Sequence, residues 1–100
     1  SGEAAWLLYH IADSLRLGGG FDQARQNLSR ARVLAASLGD ENLLERVDFL
    51  SYYIARNAGD CKTAAASLER YLDRHPHSES SPKARRFLAE IKYAGGVECS

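Results

Sequence analysis

Three histidines, two cysteines and a triple glycine are the residues whose types could do chemistry in this chain. His10 and Asp13 stand three apart with Ser14 beside them, the side-chain set of a hydrolytic triad. A nucleophilic serine needs an exposed, strained turn and an oxyanion hole. Residues 4–17 instead carry the apolar spacing of a regular helix, so the three read as an exposed polar group. His75 and His77 flank Pro76, but no third ligand stands at metal spacing. His75 suits the negative end of a helix better than a metal. Gly18-Gly19-Gly20 is not followed by Lys-Ser or Lys-Thr and does not follow a strand, so it reads as a helix–helix turn rather than a phosphate loop. Cys61 and Cys99 are too few for a disulfide scaffold and lack metal spacing; either they pair or they are two free thiols. These residues give no support for an enzyme, a metal or a cofactor.

Bulk composition narrows the remaining classes. Thirteen basic and thirteen acidic residues cancel, which removes the broad electrostatic case for nucleic acid. The apolar fraction of 45% is that of a globular chain and argues against disorder. The longest apolar run, Ala4 to Tyr9, falls far short of the roughly 18 residues that cross a bilayer, so no direct membrane insertion is expected. The chain has no Met, not even at position 1, which leads us to expect a piece of a larger protein.

Five helices account for the periodicity. Apolar residues recur at three- and four-residue intervals over 4–17 (Leu8, Ile11, Ala12, Leu15), 22–38 (Ala24, Leu28, Ala31, Ala35) and 41–58 (Leu43, Val47, Leu50, Ile54). Ala64, Leu68 and Tyr71 mark a fourth helix over 61–75, and Ala84, Phe87, Leu88 and Ile91 a fifth over 82–94. Glycines at 18–20, 39, 59 and 95–96 end four of them, and His75-Pro76 ends the fourth helix. Asp40 reads as an N-cap, and Ser81-Pro82 as an N-cap followed by a proline in the first turn. No strand pattern competes, so the expected fold class is all-α.

One phrase occurs twice. Gly19, Phe21, Ala24, Leu28 and Ala31 follow a first helix carrying Leu8, Ile11, Ala12 and Leu15; Gly59, Ala64, Leu68 and Pro76 follow Ala55. In these positions the chain resembles the tetratricopeptide repeat family, whose unit is an antiparallel helix pair of about 34 residues. On that resemblance, the first repeat is 4–39, the second 41–77, and 82–95 is a last or capping helix. Tyr52 and Tyr71 stand where the family carries small residues, and the 40 residues from Ala24 to Ala64 exceed the family period. The stretch 72–88, with His75-Pro76-His77-Ser78, is similar to repeats of bacterial envelope proteins.

The resemblance implies a solenoid fragment whose first-helix faces line a concave groove that binds a protein or peptide. Carrying the family phase across places Tyr9, Asp13 and Arg16 in the groove from the first helix. Arg46, Phe49, Tyr53 and Arg56 come from the third, and Arg85, Arg86, Ala89 and Lys92 from the fifth. Six cations against one carboxylate predict an acidic partner. The alternative is a structural or dimerisation module that packs on itself or on a neighbouring domain, so monomer and homodimer both stand. In a stacked helical repeat the turns before Cys61 and Cys99 fall at the same end of adjacent units, where the two could pair. Pairing would imply an oxidising compartment such as the bacterial periplasm.

Overall fold

A computed structural model describes residues 2–99. It contains five helices: α1 (Gly2–Leu17), α2 (Phe21–Leu38), α3 (Glu41–Asn57), α4 (Cys61–Arg74) and α5 (Ser81–Tyr93). No strand occurs among the described residues. The fold is all-α, and each expected helix is found with its ends moved by one or two residues.

Four of the five helices end in the same way. Gly39 takes a left-handed φ of 66°, its N–H donates to Ala36 O, and the next N–H, that of Asp40, donates to Ala35 O. Gly59 and Asp60 repeat this with Arg56 and Ala55. Gly19-Gly20 and Gly95-Gly96 repeat the pair of bonds. This is the Schellman pattern, which satisfies the last carbonyls of a helix and needs a residue that accepts positive φ. At two of these turns an aspartate follows and caps the next helix. Asp40 accepts from Leu43 N at 3.0 Å, and Asp60 accepts from Thr63 N at 3.1 Å. Gly-Asp therefore stops one helix and starts another within two residues, which folds the chain back into antiparallel neighbours. α2 departs from the expected start: it opens at Phe21 on Gly20, which offers no side-chain cap.

The helices form two layers. α1, α3 and α5 lie in one and α2 and α4 in the other, with each helix packed on its chain neighbour. The Cα extents are 41 × 31 × 15 Å. The shortest fits two helix layers about 10 Å apart plus a backbone radius of about 2.3 Å on each side. α1 and α2 meet on small residues: Ala5, Ala12, Ala24, Ala31 and Ala35 are all fully buried. α3 and α4 meet on large ones, with Tyr52, Leu68 and Tyr71 buried. α3 feeds both cores, Leu43, Val47, Leu50 and Ile54 toward α1 and α2, and Phe49, Tyr52 and Ala55 toward α4 and α5. α3 and α5 meet through rings, chiefly Tyr52 stacked on Phe87 with centroids 5.4 Å apart.

α5 is placed by a polar knot. The Tyr71 hydroxyl donates to Glu45 and shares a hydrogen bond with Ser78. Ser78 N donates to Ser81 Oγ at 2.9 Å, and Ser81, fully buried, donates to the carbonyl of His75. Ser81 belongs to the buried stripe of α5 with Ala84 and Ile91.

Because Ala24 fills a seam between two backbones, Ala24→Leu should overpack it and lower stability by roughly 1–3 kcal/mol. Urea unfolding of the variant measures this; a loss below about 0.5 kcal/mol, the size of a surface effect, would contradict the close packing.

Candidate functional site: a ring-lined groove on α1, α3 and α5

The first layer carries a groove of about 560 Å³. Tyr9, Asp13 and Arg16 line it from α1, and Arg46, Phe49 and Tyr53 from α3. These six sequence-predicted residues therefore share one concavity. Their spacing explains it: positions 9, 13 and 16 and positions 46, 49 and 53 each recur at three or four residues along one helix side.

Cations lie over rings along this face. The Arg16 guanidinium is 5.4 Å from the Tyr53 centroid, Arg46 5.6 Å from Trp6, and Lys83 Nζ 5.0 Å from Phe49. All fall within the ~6 Å range of a cation–π contact. Arg16 is also fixed by hydrogen bonds, donating to Asp13 Oδ1 at 2.8 and 3.0 Å and to Asn57 Oδ1 at 2.6 Å. Among the described residues no carboxylate pairs with Arg46 or Lys83. Burial and the Asp13 carboxylate push the Tyr9 hydroxyl above its ordinary pKa, with Arg46 opposing them. Tyr9 stays a neutral donor and acceptor on the groove wall.

The other expected groove residues lie elsewhere. Arg56 sits one turn beyond Tyr53, over the rings of Tyr53, Tyr52 and Phe87 at 4.8, 5.3 and 5.9 Å, and lines a smaller cleft of about 170 Å³ with Glu90 and Cys99. Arg85 is exposed and donates to the Pro76 carbonyl at 3.3 Å. Arg86 is exposed, over Phe87 and 4.0 Å from Glu90. Lys92 and Ala89 are exposed outside the groove. α5 turns Lys83 and Phe87 toward α3 instead, more than about a third of a turn from the expected phase at 100° per residue. The cause is Ser81: a polar residue occupies the core stripe, so the apolar pattern alone does not reveal which side of α5 is buried.

The groove is consequently balanced in charge. Arg16, Arg46 and Lys83 face Asp13, Glu45 and Glu79. Sequence reasoning missed Lys83, Glu45 and Glu79; Glu45 stands one turn before Phe49, and that spacing was the available signal.

Opposite this groove the structure holds a buried carboxylate. Asp48 is 4% exposed and accepts from Arg32 Nε at 3.0 Å, Arg74 Nη1 at 3.1 Å and His75 Nε2 at 2.7 Å. His75 thus serves a carboxylate as well as ending α4. Among the described residues no three His, Cys, Asp or Glu side chains gather as a metal site. Cys61 and Cys99 form a disulfide with Cα atoms 5.4 Å apart. No helix among the described residues is long and apolar enough to cross a membrane. Comparison with protein-family models, with curated proteins and with solved structures returns no match.

Two predictions follow from these polar groups. Asp48→Ala should cost about 3 kcal/mol in urea unfolding, the low end for breaking a buried pair, because the arginines can turn to water; an unchanged midpoint would contradict the network. Burial, reinforced by the Glu45 hydrogen bond, pushes the Tyr71 hydroxyl up to about 12 from an ordinary 10. The folded protein keeps a proton there that the unfolded chain gives up. This stabilisation is complete below pH 10 and is lost between 10 and about 12, by roughly 2–3 kcal/mol. Unfolding at pH 9 and 12 should show a steeper loss in the native protein than in Tyr71→Phe.

Proposed function

We propose that this chain is a protein–protein interaction module of tetratricopeptide-repeat type, and that the groove on α1, α3 and α5 binds a peptide segment of a partner. The observation that carries this reading is the pairing of ring and cation along one concave face. Tyr9, Phe49 and Tyr53 offer rigid contact area, while Arg46 and Lys83 stand beside them without a carboxylate partner among the described residues. Aromatic and arginine side chains are the residues that most often anchor binding. The fitting ligand carries an apolar or aromatic anchor flanked by carboxylates, one for Arg46 and one for Lys83. Glu45 and Glu79 disfavour a uniformly acidic segment and select for position of charge rather than its amount. The Cys61–Cys99 disulfide supports an oxidising compartment such as the periplasm.

A second reading rests on a different surface. Leu7 and Ile11 stand one turn apart on the outer side of α1, 60% and 38% exposed. An exposed apolar row of this kind suits a structural or dimerisation contact.

Trp6, the single tryptophan, touches Arg46 and reports the groove directly. Titrating acidic-aromatic peptides should change its fluorescence. Arg46→Glu with Lys83→Glu should weaken binding at least tenfold, as expected for losing charge-assisted bonds, while stability stays within about 0.5 kcal/mol. No peptide response, together with a dimer in sedimentation that Leu7→Glu dissociates, would replace the first reading with the second.

A further inference from the structure

The second layer holds a cleft of about 330 Å³ between α2 and α4, floored by α3. It lies on the side of α3 opposite the peptide groove, since Val47, Asp48, Ser51 and Ile54 face it while Glu45, Arg46, Phe49 and Tyr53 face the other. Arg25 and Arg32 stand on the α2 wall and Arg70 and Arg74 on the α4 wall. Asp48 is the one carboxylate among the lining residues.

Folding alone does not call for this set. One guanidinium and His75 would satisfy the Asp48 carboxylate; two guanidinium groups share its Oδ1, and two more stand along the same cleft. Like charges so gathered repel one another. Arg32 and Arg74, bound to a single oxygen, stand side by side, and each keeps N–H groups that Asp48 does not use. Arg70 is held only by a bond to Ser67 Oγ at 3.2 Å. Hydroxyls of Ser29, Ser51, Ser67 and Thr63 line the space between. Converging guanidinium groups with hydroxyls, held from beneath by a fixed carboxylate, match a compact dianion that accepts several hydrogen bonds.

We propose that the cleft between α2 and α4 is a binding site for a phosphate monoester, gripped by Arg32, Arg70 and Arg74. Asp48 is a positioning residue: it holds two of the guanidinium groups and leaves their outer N–H groups to the ligand. A phosphate group, either on a small ester or on a phosphorylated side chain, supplies the matching chemistry. Arg25, paired with Asp22 at the cleft's end, adds attraction without direct contact.

Calorimetric titration of the intact chain with O-phosphoserine and with a peptide carrying one phosphoserine tests this. The expected result is saturable binding that Arg70→Gln weakens about tenfold, the loss of one charge-assisted contact, with melting temperature unchanged. Arg25→Gln, also outside the Asp48 bonds, should weaken binding less, and Lys92→Gln not at all. Equal binding of both probes identifies a small ester, and binding of the peptide alone a phosphorylated segment; either supports the site. Saturable binding of neither, equal binding by Arg70→Gln, or equal affinity for the peptide with glutamate in place of phosphoserine would overturn it.

Discussion

A single carboxylate buried in the middle of α3 sets the arrangement of the other helices. Asp48 lies where water does not reach, and a charge so placed must be met by hydrogen bonds. Its partners come from α2, from the last turn of α4 and from the residue that ends α4. α2 and α4 do not pack on each other, yet both are tied to the same two oxygen atoms. Apolar seams tolerate sliding far better than directional bonds do. The alanine seam of α1 and α2 brings backbones close, and Asp48 fixes where along α3 they stop.

The two faces of α3 divide the remaining work. One side carries the carboxylate and its guanidinium groups; the other carries Phe49 and Tyr53 with cations above them. The buried tyrosines also find a rationale here. Tyr52 and Tyr71 stand where close helix packing favours small residues, and both are buried. Their rings join Phe49 and Phe87 in edge and stacked contacts at 4.9–5.8 Å. Their hydroxyls are spent on Arg56 and Glu45. The α3–α4–α5 half is thereby built on aromatic contact, and the α1–α2 half on alanine.

Much of this was legible in the chain. Periodicity located every helix, and glycine located every turn but one, because the Schellman bonds require a residue that accepts positive φ. The groove residues of α1 and α3 were legible for the same reason: a regular apolar stripe fixes which side faces away. α5 was not. Its core stripe includes Ser81, whose burial depends on a carbonyl six residues earlier in the chain, and no apolar pattern encodes that. Asp48 was equally hidden. An aspartate among polar residues on a helix looks exposed until Arg32 and Arg74, 16 and 26 residues away, are brought to it. Local spacing reveals faces; it does not reveal which polar residue will be enclosed by distant ones.

The link between Cys61 and Cys99 has a mechanical consequence. It joins the first residue of α4 to a point past the end of α5, so both helices lie inside one covalent ring. Tension applied at Cys99 enters the molecule at Cys61 and bypasses α5 altogether. α5 cannot be peeled away as a terminal helix would be; the load falls first on the turn at Gly59-Asp60. Reduction would move that load to α5 and its serine knot, so the same pull would unravel the molecule from a different place.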